Sequence, residues 1–204
     1  MDTFPGELDV RSLLPASHDG DADSQRLLQV ALANEINVSE LAARWMPTTR
    51  ELDVKLAFAR QAGDEASHFQ LVADRLAALG FDLAAFAPPA PNALFAFLHS
   101  LDGTIERIAA GLYALEAVAY AVNEGFIAYC ASRGDDETVR IYREYIQPDE
   151  RAHHELGKVL LAKYAHTPEQ QALARATAAR VIELATATRA KAAQALGVAC
   201  FPGC

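Results

Sequence analysis

Asp64-Glu65-Ala66-Ser67-His68 and Asp149-Glu150-Arg151-Ala152-His153 are two copies of one pattern, Asp-Glu-x-x-His, in a chain of 204 residues. On a helix, positions i and i+3 share a face, so each copy aims a carboxylate and an imidazole in one direction. Each copy also falls on an apolar seam. In the first, the seam is Phe58, Ala62, Glu65, Phe69, Val72, Leu76; in the second it is Val139, Ile146, Glu150, His153, Gly157, Leu160. An ionisable group on such a seam is costly unless something pairs with it. Two such helices facing each other could hold a dinuclear metal centre.

Working outward, the pattern reads as all-α, with no strand signal of any length. Residues 1–23 are polar, with Pro5, Gly6, Pro15 and Gly20, and read as an extended lead-in. Residues 24–204 read as a single domain. A first helix is expected over about 24–45, stopped by Pro47, with Thr48-x-x-Glu51 as a capping box for the second. The second ends at Gly80. Residues 81–103 carry Pro88, Pro89 and Pro91 and form a long connection, with a short helix over 93–99. A connection of that length suits a crossing of the bundle. The third helix spans about 104–132 and the fourth about 136–165, with Pro148 inside it and a kink expected there. A further helix over about 168–196 has Thr167 as cap, Pro168 at its first position, Gln170 completing a capping box and Gly197 as its stop. Leu173, Val181 and Leu184, with Thr177 between, give it one stripe to lay against the bundle or a second subunit. A homodimer is therefore one arrangement it could serve.

A dinuclear carboxylate site needs further carboxylates from the two remaining helices. The first offers Glu35, on the stripe with Leu28, Leu32, Val38 and Ala42; Glu40 falls outside it. The third offers Glu116 and Glu124. At about 1.5 Å rise per residue, Glu150 lies roughly 21 Å from the loop it shares with the third helix, Glu116 roughly 24 Å and Glu124 roughly 12 Å. Antiparallel neighbours meet at equal depth, so Glu116 is selected. The same reckoning leaves Glu35 and Glu65 mismatched by roughly 9 Å. The candidate metal ligands are thus Glu35, Glu65, His68, Glu116, Glu150 and His153. A ligating histidine usually gives its other ring N–H to a carboxylate. Asp64 is expected to orient His153, and Asp149 to orient His68. His154 and Glu155 read as surface neighbours, and Tyr113, Tyr120, Tyr142 and Tyr145 as core residues near the site.

Glu35, Glu65-x-x-His68, Glu116 and Glu150-x-x-His153, on four helices with a long middle connection, resemble the ferritin-like di-iron carboxylate superfamily over roughly residues 24–165. The segment 64–83 looks most like its hydroxylases and their relatives. The resemblance implies an antiparallel four-helix bundle with a long crossover between helices two and three, here followed by a fifth helix. It also implies two Fe ions, or alternatively two Mn, and two-electron chemistry on O2 or peroxide. The leading expectation is an oxidase or oxygenase with a small organic substrate. Ferroxidase or iron-storage function and peroxide disproportionation at two Mn are the alternatives. Any electron donor would be a separate molecule, since no flavin or ferredoxin motif is present.

Bulk properties narrow the classes further. The chain is 51% hydrophobic with a net charge of −9, which disfavours nucleic acid as the main partner. Arg140, Arg143 and Arg151, or Arg175, Arg180, Arg189 and Lys191, could still form a basic patch. No apolar run is long enough to span a membrane, and the start lacks the features of a signal peptide, so the expected location is the cytoplasm. Cys130 reads as a buried hydrophobe. Cys200 and Cys204 read as thiols on a tail, at a spacing not diagnostic of metal. Ala31, Ala62, Ala66, Ala109, Ala119, Ala152 and Gly157 flank the predicted ligands; they leave either an apolar pocket or closely packed helices.

Overall fold

Two short turns organise the chain into helical hairpins. The computed structural model describes residues 8–13 and 24–203. Helix α1 (Ser24–Thr48) turns at residues 49–51 into α2 (Leu52–Ala78), and the two pack along their length. After the crossover, which contains α3 (Ala93–His99), α4 (104–132) turns at residues 133–135 into α5 (136–164). Helices α2 and α5 then touch, joining the hairpins. Helix α6 (Pro168–Leu196) packs on the outside, mainly against α4. Among the described residues there is no strand, and no helix is long and apolar enough to cross a membrane.

The helix ends follow the expected punctuation, with two corrections. Gly80 and Gly134 take left-handed φ values of 86° and 71° just beyond α2 and α4, a conformation that glycine adopts without steric cost. Helix α6 carries the full capping box of Thr167 and Gln170 and stops at left-handed Gly197. However, Pro47 does not stop α1, which continues to Thr48. The hydroxyls of Thr48 and Thr49 both donate to the Trp45 carbonyl, at 3.2 and 2.8 Å, and so satisfy the helix end. The Thr48–Glu51 capping box also does not form. Glu51 precedes α2 without capping it and accepts a 2.7 Å hydrogen bond from Thr104 instead.

Neither α4 nor α5 is a uniform α-helix. Helix α4 contains a π-helical stretch, Ile108–Leu115, that leads directly into Glu116. Helix α5 contains another, Tyr142–Ile146, just before Pro148 and Glu150. The irregularity expected at Pro148 therefore takes the form of a widened turn preceding it, one of the known ways a helix absorbs a proline.

Small residues serve close approach. A Cβ on Gly157 would lie 2.8 Å from the backbone carbon of Leu112 and 2.8 Å from the nitrogen of Tyr113. Helix α5 thus touches the backbone of the π-helical stretch of α4 at this point. The same logic shifts the buried stripe of α6 to Ala174, Thr177, Ala178, Val181 and Ala185, while Leu173 faces outward. The lead-in is not simply extended: Leu13, in the 3-10 turn Arg11–Leu13, is buried in the core, and Leu8 and Val10 pack beside it. Residues 1–7 and 14–23, with Pro5, Gly6, Pro15, His18 and Gly20, lie outside the described residues. At the other end Cys200 and Phe201 are buried rather than trailing, and the Gly203 N–H donates to Asn123 at 2.9 Å. Cys204 lies outside the described residues.

The Gly157 contact is directly testable. On an exposed helix, Gly→Ala would stabilise by about 1 kcal/mol through helix propensity. Here Gly157→Ala must instead push two backbones apart, and overpacking of this kind costs about 1–3 kcal/mol. A lowered melting temperature in thermal denaturation is expected; a raised one would contradict the close approach.

Candidate metal centre

Helix depth explains how four helices meet at one level. Glu35 lies thirteen residues before the end of α1, and Glu65 thirteen residues after the start of α2. The mismatch expected from the sequence came in equal parts from ending α1 at Trp45 and from starting α2 just after the Thr48 cap, three residues before Leu52. Glu116 and Glu150 sit sixteen and fourteen residues from their own shared turn. The competing carboxylates are elsewhere. Glu40 is exposed, and Glu124 reaches the surface, where its Oε1 accepts hydrogen bonds from Arg143 and Gln147.

All six predicted ligands are brought together and buried: Glu35, Glu65, Glu116 and Glu150 at 0% exposure, His68 at 1% and His153 at 2%. They form two overlapping groups. Glu35, Glu65, His68 and Glu150 offer ligand atoms within 4.8 Å of one another, and so do Glu65, Glu116, Glu150 and His153. Glu65 and Glu150 belong to both. The two oxygens of Glu65 divide between the imidazoles: Oε2 lies 3.5 Å from His68 Nδ1, and Oε1 lies 3.6 Å from His153 Nδ1.

The aspartates act reciprocally across the two hairpins. His68 Nε2 is 3.2 Å from Asp149 Oδ2, and His153 Nε2 is 3.0 Å from Asp64 Oδ2. In the neutral imidazole, a proton on each Nε2, donated to the aspartate, would leave the Nδ1 lone pair for a cation held among the carboxylates. Both aspartates are partly exposed, at 46% and 35% for their side chains, so they stand at the edge of the centre. The hydrogen bond from His68 holds the Asp149 carboxyl below its usual range.

The electrostatics call for a cation. Glu35 and Glu150 have both oxygens buried without a hydrogen-bond partner among the described residues, as do Glu116 Oε2 and the Nδ1 atoms of His68 and His153. Burial pushes the Glu35 and Glu150 carboxyls well above the usual range and Glu116 up to about 8. Burial opposes charge on His68 too, but Asp149, Glu35 and Glu65 outweigh it and raise its pKa. Buried acceptors without donors are rare, and several carboxylates cannot ionise together in one dry site without positive charge between them. The donor set contains no thiolate. Cations taking oxygen and imidazole ligands, such as Fe or Mn, fit it.

Two contributors lay beyond the sequence reading. Gln61 is fully buried and donates through Nε2 to Glu116 Oε1. It lies one turn before Glu65 on the same face, so its i−4 spacing could have revealed it. His154 is not a surface neighbour. Its ring is half-buried, its Nδ1 lies 2.7 Å from the Tyr113 carbonyl, and it stacks on the Tyr113 ring at 5.1 Å. That contact ties α5 to the π-helical stretch of α4. Of the four tyrosines, Tyr113 and Tyr142 are buried as expected, while Tyr120 and Tyr145 are exposed.

The chain belongs to the DUF455 family, described as "Protein of unknown function (DUF455)", whose model matches residues 17–189. No curated protein and no solved structure matches the chain.

Removing an orienting carboxylate should weaken metal binding without removing a ligand. Asp149→Ala is expected to lower Fe(II) affinity about 10–100-fold in anaerobic titration, with helix content unchanged by circular dichroism. Unaltered affinity would show that Asp149 does not orient His68.

Proposed function

We propose that this chain is a ferritin-like dinuclear metal carboxylate protein, with two Fe ions as the resident metals, acting as an O2-dependent oxidase or oxygenase on a small organic substrate. The observation that carries the reading is the pair of overlapping ligand groups sharing Glu65 and Glu150. Glu35 and His68 would complete one metal position, and Glu116 and His153 the other. Glu65 and Glu150 would serve both. When bound, two such metals side by side supply two electrons to O2.

The protein's own contributions are positional. Asp149 and Asp64 hold His68 and His153 with Nδ1 inward, and Gln61 holds one oxygen of Glu116. The burial of all six ligands keeps water away from the centre, which strengthens charge interactions inside it. Storage of iron in a closed multi-subunit shell is less well supported, because α6 and residues 198–203 already cover the outer face of α4. An RNA substrate is also less well supported. Arg140 pairs with Glu137 and Glu144, Arg143 with Glu124, and Arg180 with Glu183, so much of the candidate basic patch is neutralised.

Metal content tests the reading first. Protein from iron- and manganese-supplemented cells should carry two Fe per chain by mass spectrometry and consume O2 once reduced; Glu150→Ala should lose both ions. Two Mn would move peroxide disproportionation to the front, and no metal even after anaerobic Fe(II) loading would end the catalytic reading.

Loading should also release protons. At pH 7 the metal-free protein holds protons on carboxyls whose pKa lies above the ordinary value, Glu116 at about 8 among them, and a bound cation displaces them. Anaerobic Fe(II) addition to weakly buffered protein should therefore acidify the solution, and less so when the starting pH is raised above 8. Uptake without acidification would mean that metal binds elsewhere.

A further inference from the structure

A chamber of about 520 Å³ lies on the far side of α1 from the metal centre. At about 100° per residue, Arg26, Val30 and Ala33 stand about 140–200° around α1 from Glu35, and all three line it. Leu115 and Val118 of α4 form its floor, the crossover supplies Phe86, and α6 supplies Ala185 and Arg189. None of the six metal-site residues lines it. Its volume falls in the range of small-molecule sites, roughly 300–1,000 Å³.

The charge of this chamber runs against that of the chain. In a protein of net charge −9, its charged lining residues are two arginines, Arg26 and Arg189, and no described acidic residue lines it. Arg189 is bound through backbone carbonyls: its guanidinium donates to Phe201 at 2.9 Å and more weakly to Ala199 and Pro202, and lies 4.1 Å over the Phe201 ring. Burial lowers its pKa to about 10. This guanidinium, taken partly out of water and held by neutral acceptors, has no acidic partner among the described residues, and a carboxylate is the group that its planar fork matches best. Arg26 stands at the rim, donating to the Ala195 carbonyl at 3.2 Å across from α1 to α6.

We infer that this chamber is a second binding site, for a small molecule with an apolar body and a carboxylate head. The head pairs with Arg26 and Arg189, and the body lies along Val30, Ala33, Phe86 and Ala185. The inference stands whether or not the metal centre is catalytic, because no residue is shared between the two.

Calorimetric titration of the full chain with decanoate, decanol and decyl phosphate tests it. Decanoate should bind saturably at one site per chain, decanol at least about tenfold more weakly for want of the charge-assisted hydrogen bonds. Val30→Trp, which fills the chamber, should abolish binding, and Arg26→Gln should weaken it about tenfold, both with unchanged helix content and unchanged metal content. Absence of saturable decanoate binding, equal binding of decanol, or binding that survives Val30→Trp would overturn the site. Preference for decyl phosphate over decanoate would overturn the carboxylate assignment.

Discussion

Four carboxylates buried at 0% exposure in the middle of a helical protein are the constraint on which the rest of this structure depends. Glu35, Glu65, Glu116 and Glu150 come from four different helices, so their convergence fixes the relative height of every helix in the bundle. Burial of this kind opposes folding unless positive charge enters. Among the described residues two imidazoles reach the site, and Asp149 and Asp64 draw their Nε2 protons outward. The remaining demand is met most simply by cations. The site thus opposes folding of the metal-free bundle while fixing the relative height of its helices.

How much of this could be read in advance differs from residue to residue. The two Asp-Glu-x-x-His copies, Glu35 and Glu116 were legible because helical periodicity and rise are local rules. The reciprocal aspartates were legible for a different reason: a ligating histidine usually gives its other ring N–H to a carboxylate, and each motif carries an aspartate beside its glutamate. The depth of Glu35 was misjudged because Pro47 reads as a stop, whereas two threonine hydroxyls on one carbonyl let α1 run on. The π-helical stretch Ile108–Leu115 was not legible: no proline marks it, and it meets Gly157 at the Leu112–Tyr113 backbone and His154 at the Tyr113 carbonyl, both contacts from another helix. At Pro148 an irregularity was legible, but not that it would take the form of the π-helical stretch Tyr142–Ile146. No sequence period announces such a turn.

The small residues around the ligands illustrate the same limit. Sequence alone left open whether they vacate a pocket or draw helices together. At Gly157 the backbone of α4 fills the space, and the large chamber lies instead behind α1 and α4, roofed by the crossover and α6. Helices α1 and α4 therefore have two working faces: one presents Glu35 and Glu116 inward, and the other forms the wall of a cationic cavity. The crossover and α6 line the second face and contribute no ligand to the first.

Anomalous diffraction at the iron edge, from crystals of anaerobically loaded protein, tests the central claim most directly. Two adjacent peaks, both contacted by Glu65 and Glu150, with His68 Nδ1 at one and His153 Nδ1 at the other, are the expected result. A single peak, or peaks confined to the surface while the six buried side chains keep their metal-free contacts, would contradict the account.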